Sequence, residues 1–221
     1  MTHVVHPYSH RLGIIRDWKS RWFAGRGKYQ KYLKGDVLLR RFLEERLRGN
    51  YVADIDMERS EKILRIIIKT SRPGMIIGRS GEGSAKLRVD VLKFMKKHDL
   101  EAHEELRIDI EDIKSPESNA AIVGQMIAES LEKRMPFRRV MKQTLDKVMA
   151  NRDVKGVKIE LAGRLNGADM ARREKLQVGQ VPLQTFRADI DFAHTEARLP
   201  YDSLGVKVWI YKGEVFDDRK K

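Results

Sequence analysis

The chain has 221 residues, a formal net charge of +13 and no cysteine. Charged residues make up 35% of it, against about 25% in an average domain. This positive charge indicates a polyanionic partner, with nucleic acid ahead of an anionic membrane. The lack of cysteine excludes disulfides, thiolate zinc sites and cysteine nucleophiles, and no apolar run reaches the roughly 18 residues that span a bilayer. We therefore expect a soluble, intracellular protein of two domains.

Residues 1–35 show little hydrophobic periodicity, and we predict that they form an extended, basic and aromatic N-terminal arm. Trp18, Trp22 and Phe23 have two interpretations that the sequence leaves open. They stack on unpaired bases, or they anchor the arm on the protein's own core.

Three histidines of this arm, His3, His6 and His10, raise the question of a metal site. Pro7 interrupts any helical presentation of them, and neither a carboxylate nor a cysteine accompanies them. The pattern therefore disfavours a metal site, and we expect neither metal nor cofactor.

The stretch from 36 to 113 predicts the order helix, strand, strand, short helix, glycine loop, helix, strand. The first helix is expected to begin at Asp36, a favourable N-cap, and to end at Gly49-Asn50. Strands are expected over 51–58, 62–69 and 106–111. A short turn from Pro73 and a helix ending near residue 97 flank the loop at 78–81. We place the domain boundary near residue 114.

The glycine loop, Gly78-Arg79-Ser80-Gly81, is weak evidence without its surroundings. A dinucleotide fingerprint needs G-x-G-x-x-G after a strand, whereas the order here is reversed, and a Walker loop needs a following Gly-Lys-Ser/Thr. The order of elements around the loop resembles the KH fold of the second topological type, in which a GxxG loop joins two helices and clamps about four nucleotides. Glycines without β-carbons let phosphates approach main-chain N–H groups at a helix N-terminus. This resemblance implies RNA binding by Arg72 and by Gly78, Arg79, Ser80 and Gly81.

Residues 114–221 predict an α+β domain with two helices on a mostly antiparallel sheet. The helices are expected to begin at Ser115-Pro116 and at Pro136, and the strands to cover 157–161, 186–193 and 206–211, separated by loops. The second helix has an apolar face at helical spacing, formed by Phe137, Val140, Met141, Thr144, Leu145 and Val148. Its opposite arc carries Arg138, Arg139 and Lys142, which periodicity alone assigns to a solvated surface.

Asp189 and Asp191 alternate on a predicted strand and so share one face. They open an alternative function, a metal-dependent enzyme that cleaves nucleic acid. A two-metal site needs further converging acids, which the sequence does not show, so a solvated strand face is the favoured interpretation.

Blocks along nearly the whole chain resemble the bacterial small-subunit ribosomal protein S-three family. They fall in the family's order at 11–15, 18–24, 72–78, 137–142, 163–172, 181–183, 187–191 and 205–214. The resemblance implies a cytoplasmic, non-catalytic component of the small-subunit head that packs against the S-ten and S-fourteen proteins. It also weighs against a third possibility, a free KH-type regulator, because the blocks extend far beyond the KH segment.

The same resemblance assigns two sets of RNA contacts. Arg138, Arg139 and Lys142 are implied to line the mRNA entry channel and to help melt secondary structure in the message. Contacts with ribosomal RNA are implied for Arg11, Trp18, Lys19, Arg21, Trp22, Arg164, Arg172 and Arg173.

Overall fold

The structure, a computed structural model, describes residues 5–60, 62–100, 105–200 and 202–216. These residues form two compact units. The first unit consists of the described residues between 18 and 114, and the second unit combines those before 18 with those after 114. None of the helices in the described ranges is both long and apolar enough to cross a membrane.

The elements alternate along the chain in the manner of an α/β protein. In chain order they are α1 Pro7–Arg11, β1 Ser20–Arg21, α2 Arg26–Arg46, β2 Val52–Arg59, β3 Ile63–Thr70, α3 Pro73–Ile77, α4 Glu82–Lys97, β4 Glu105–Asp112, α5 Ala120–Glu132, α6 Phe137–Met149, β5 Gly156–Gly163, β6 Arg172–Gly179, β7 Ala188–Arg198 and β8 Ser203–Glu214. The predicted two-domain α/β class is confirmed, and so is the order helix, strand, strand, short helix, helix, strand from α2 to β4.

The first unit is a sheet covered on one face by helices. Its strand order is β1-β2-β3-β4, with β2 and β3 antiparallel and the two outer pairs parallel. Alternate side chains of the strands point to the helices because successive residues of a strand face opposite sides. The core they form with α2 and α4 contains Leu39, Leu43, Met57, Ile66, Ile68, Leu87 and Val91.

The first helix of this unit begins ten positions earlier than the sequence indicates. The start expected at Asp36 was wrong, because α2 begins at Arg26. Asp36 is not a cap: it is buried and its carboxylate accepts hydrogen bonds from Trp22 Nε1 at 2.7 Å and Arg59 Nε at 2.9 Å. The segment predicted as an extended arm therefore contains α1, β1 and the first part of α2.

The second unit is an antiparallel sheet of order β6-β5-β8-β7. Helices α5 and α6 pack on one face, as expected from their apolar spacing, and bury a core that includes Val123, Ile127, Met141, Leu145, Ile159, Val206 and Val208. The other face carries a small cluster around Trp209 and Ile190. The prediction of two helices on an antiparallel sheet is confirmed.

Two elements of the second unit differ from the prediction. Helix α5 begins at Ala120 rather than at Ser115, since residues 116–118 form a 3-10 turn and the Asn119 side chain accepts from the N–H of Ala121 at 3.0 Å. The sequence predicts a loop where the structure has strand β6. Among the strands that the structure describes, it is an edge strand paired with β5 alone. Nearly all its residues are exposed, so it lacks the apolar alternation that marks a half-buried strand.

Candidate nucleic-acid interface

The glycine loop lies between α3 and α4. Gly78 has φ 71° and ψ −174°, a conformation that is essentially restricted to glycine, and Gly81 has φ 82°. Ser80 also has a positive φ, 49°, so the chain turns sharply through the loop. The side chains of Arg79 and Ser80 are exposed at its tip.

A third glycine, Gly83, decides how closely the two helices approach, and sequence reasoning missed it. A β-carbon at Gly83 would clash with the carbonyl oxygen of Ile76 and would lie 2.9 Å from that of Ile77. The main chain at the end of α3 therefore rests directly on the start of α4. Its signal in the sequence is the third glycine of the pattern Gly78-x-x-Gly81-x-Gly83, the reversed order that distinguishes the loop from a dinucleotide fingerprint.

The main chain that follows the loop has anion-binding character. Helix α4 begins after Gly81, and within the described residues no side chain caps its first N–H groups, which therefore keep their capacity to donate. Glu82 in the first turn places a negative charge nearby, and Lys86 pairs with it at 2.5 Å. Arg72 stands before α3 with its guanidinium 4.3 Å from the Tyr51 ring centroid.

Helix α6 separates its apolar and basic faces as the periodicity predicts. Phe137, Val140, Met141, Leu145 and Val148 are buried, and Thr144 is half-buried. Arg138, Arg139 and Lys142 are exposed on the opposite side. The helix thus presents three cations to solvent, and none of the three is buried in the core.

Strand β6 brings one more arginine, Arg172, towards this helix. Glu174 Oε1 lies 3.6 Å from Arg138 Nη2 and 3.5 Å from Arg172 Nε. The Glu174 carboxylate thus pairs with Arg138 and Arg172, which are far apart in sequence. Arg173, on the same strand, lies 3.6 Å from Glu160. Arg164 is used locally, since its Nε donates to the Ala168 carbonyl at 3.0 Å.

Arg11 is not available to RNA, and we withdraw it from the predicted ribosomal-RNA set. Its side chain is wholly buried in the second unit. The guanidinium donates to the carbonyl oxygens of Ala188 at 2.6 Å, Thr185 at 2.9 Å and both Leu183 and Pro7 at 3.1 Å. Burial lowers its pKa, against the opposing attraction of Asp189. Arg11 is a structural clamp.

The cations around β1 face carboxylates of the first unit. Lys19 Nζ lies 2.6 Å from Asp54 Oδ1, and Arg21 lies 3.6 Å from Asp56. These contacts leave both side chains partly exposed but neutralise much of their charge.

The three aromatic residues divide between the two interpretations. Trp22 anchors: its ring contacts Tyr29 and Tyr32 with centroids 5.1 and 5.7 Å apart, and its Nε1 donates to Asp36. Trp18 is 57% exposed and Phe23 95% exposed, so their surfaces are accessible for stacking.

Asp189 and Asp191 serve the fold of the second unit. Asp189 Oδ1 pairs with Arg16 Nη2 at 2.8 Å, and Asp191 Oδ2 accepts from the N–H of Ala120 at 2.9 Å, at the start of α5. Of the three histidines, His6 accepts from the Tyr8 N–H, whereas His3 lies outside the described residues. Nowhere in the described residues do three or more His, Cys, Asp or Glu side chains form a group suited to a metal ion.

Comparison with known proteins accounts for both units. The KH domain family matches residues 38–118, and the family described as "Ribosomal protein S3, C-terminal domain" matches residues 127–210. The protein named "Small ribosomal subunit protein uS3" of Caldicellulosiruptor saccharolyticus is 43% identical over 215 residues, which is 97% of this chain and 94% of that protein. This chain belongs to the uS3 family.

Other uS3 proteins match over the same length. The uS3 protein of Xanthomonas oryzae pv. oryzae is 44% identical over 98% of this chain and 86% of its own length. That of Clostridium novyi is 42% identical over 98% of this chain and 95% of its own length. The predicted resemblance to the S-three family and the predicted KH domain are thus confirmed. Neither domain match includes residues 1–37, where α2 begins.

Proposed function

We propose that this chain is a structural constituent of the head of the small ribosomal subunit, where it binds ribosomal RNA and lines the mRNA entry channel. It works in the cytoplasm beside the S-ten and S-fourteen proteins and catalyses no covalent step. Support comes from membership of the uS3 family over nearly the full chain, from the KH domain and from the net charge of +13. The predicted domain limits were 1–35, 36–113 and 114–221. The boundary near residue 114 remains part of this proposal, whereas the limit between 35 and 36 falls inside α2.

The observation that carries the mRNA role is the exposed basic face of α6. Arg138, Arg139 and Lys142 lie on it while the opposite face is buried in the core of the second unit. A helix anchored over its whole length by packing fixes the main-chain positions from which its cationic side chains extend. Such a surface is suited to a phosphate backbone that moves past it.

The mechanism needs only electrostatics. Strands of a message that are being separated carry like charges, and long cationic side chains stabilise each separated backbone by neutralising phosphates. Glu174 keeps Arg138 near Arg172 on β6, so the same carboxylate orients a cation from each element. No bond is made or broken, and no catalytic residue is required.

The test replaces Arg138, Arg139 and Lys142 with Ala in ribosomes that translate two messages, one unstructured and one with a stable hairpin downstream. We expect normal translation of the unstructured message, because none of the three side chains lies in the core. We expect slower translation of the message with the hairpin, because the cations that stabilise the separated strands are missing. The matched control replaces Lys133, Arg152 and Arg198, three exposed cations of the same unit. Equal slowing on both messages, or slowing by neither variant, would make the three residues of α6 ordinary surface charges.

A further inference from the structure

The first nine residues of α2 form a strongly basic stretch, here named the basic segment, residues 26–34. It carries Arg26, Lys28, Lys31 and Lys34 and contains no Asp or Glu. Over about 12 Å of helix, at 1.5 Å per residue, it holds four positive charges in a chain whose net charge is +13.

The basic segment projects beyond the core of its unit. Lys28 precedes Leu39 by three helical turns and so lies on nearly the same side of the helix. Leu39 is completely buried, whereas Lys28 is exposed, as are all residues of the segment except the half-buried Tyr32. The side of α2 that packs on the sheet at Leu39 therefore faces solvent within the basic segment. At about 100° per residue, the four cations spread over more than half of the helix circumference.

An aromatic brace holds the basic segment in its helical form. The Trp22 ring packs on Tyr29 and Tyr32, and its Nε1 donates to Asp36 one turn beyond Tyr32. Arg59 donates to the same carboxylate and lies 4.9 Å from the Tyr32 ring centroid. The cations are thus presented by a supported helix rather than by a loose chain, which reduces the entropy lost on binding.

The opposite side of the first unit has a different charge balance. On the sheet face away from the helices, Arg65 pairs with Asp109 at 2.5 Å and Lys69 with Asp56 at 2.9 Å. Cations there are offset by acids of the same face, whereas the basic segment contains no acid. A polyanion is therefore attracted more strongly to the basic segment than to this face of the sheet.

We propose that the basic segment is a second RNA-backbone site of the first unit, distinct from the glycine loop. It contacts phosphates without reading sequence, and the half-exposed Tyr29 adds a surface for stacking. The site lies outside both matched domains, which begin at residues 38 and 127. The inference rests on the proposed RNA-binding function, and it adds a location on the first unit at which RNA is bound.

The test measures binding of a labelled single-stranded RNA oligonucleotide to the full chain over a series of KCl concentrations. The variant combines Arg26→Gln, Lys28→Gln, Lys31→Gln and Lys34→Gln, since Gln matches Lys closely in helix propensity. Each lost phosphate contact flattens the log–log salt slope by about 0.7. We expect the slope of this variant to be shallower than that of the parent by about 2 to 3.

The matched control replaces four exposed cations that already pair with acids. These are Arg46 with Asp90, Arg65 with Asp109, Arg107 with Glu105 and Lys133 with Glu129. Their change to Gln removes the same charge and should leave the slope nearly unchanged. Circular dichroism checks that each variant folds. If the fourfold variant does not fold, the double variant Lys28→Gln with Lys34→Gln replaces it, with about half the expected change in slope.

The outcomes separate this inference from the proposed function. If the parent shows a steep slope and the fourfold variant matches it, the inference is overturned while the RNA-binding function stands. A flat slope for the parent overturns both. If the variant binds RNA like the parent but is absent from assembled small subunits, the segment binds a protein and the inference is overturned.

Discussion

The guanidinium Nε of Arg11 donates to the main-chain carbonyl of Ala188 at 2.6 Å, across 177 positions of sequence. This bond joins the end of α1 to the first residue of β7 within the second unit. Nη2 donates to carbonyls of the loop before β7 and Nη1 to the Pro7 carbonyl in α1, so one buried side chain organises a stretch with little secondary structure of its own.

Replacing Arg11 with Met should lower the free energy of unfolding by about 3 kcal/mol, because buried carbonyl groups lose a charged donor. Lys at this position keeps the charge but loses the planar fork and should recover only part of the stability. Urea unfolding measures both. The exposed Arg139→Met, expected to change stability by less than about 0.5 kcal/mol, is the control; equal effects at positions 11 and 139 would contradict the clamp.

Gly83→Ala should destabilise the first unit by about 1–3 kcal/mol, because the new methyl group meets the main chain at the end of α3 rather than a movable side chain. Gly74→Ala in α3 is the matched control. A β-carbon there meets nothing within 4 Å, and Ala in a helix should stabilise by about 0.5–1 kcal/mol. Thermal melting of the two variants should shift in opposite directions, and a shift in the same direction would refute the close approach of the helices.

Arg79→Glu combined with Ser80→Asp should weaken binding of single-stranded RNA about tenfold, equivalent to about 1.4 kcal/mol. The pair reverses charge at the loop tip and leaves both glycines in place; Asp tolerates the positive φ of Ser80. This design is cleaner than Gly78→Asp with Gly81→Asp, which would also repel phosphate but would strain the main chain. Fluorescence anisotropy gives the affinities.

The control for the loop variant is Arg107→Glu with Ser60→Asp, which makes the same change in charge at two exposed positions of the same unit. We expect it to retain most of the parent's affinity. If both pairs weaken binding equally, the loop acts only through its net charge and is not a clamp.

The logarithm of the parent's binding constant for single-stranded RNA should fall linearly with the logarithm of salt concentration, with a slope of about −0.7 for each phosphate neutralised. The physical reason is the release of counterions from the phosphates that Lys and Arg replace. Titrations with KCl and with potassium glutamate share the same cation, so the slope should be nearly equal in both if it comes from K⁺ released by the phosphates. A nearly flat dependence would indicate a protein–protein adaptor.

Local patterns were sufficient to predict much of this fold. The buried face of α6 follows from apolar residues at helical spacing, and the isoleucine-rich β3 and the alternating β4 follow from period-two patterns bounded by turns. The two-domain class and the glycine loop between α3 and α4 were also predictable from the sequence, because each depends on residues close together in the chain. Family blocks along the chain identified the same protein family that comparison confirms.

Other features depended on contacts between residues far apart in sequence, which no local pattern records. Asp is a residue type that favours helix caps. In the structure, however, the Asp36 carboxylate accepts hydrogen bonds from Trp22 and Arg59, and α2 continues on both sides of Asp36. Edge strand β6 is defined by its pairing with β5 and not by apolar alternation. The family resemblance implies that Arg11 binds RNA. The folded second unit instead surrounds its guanidinium with carbonyl oxygens, so its charge is buried and its role is structural.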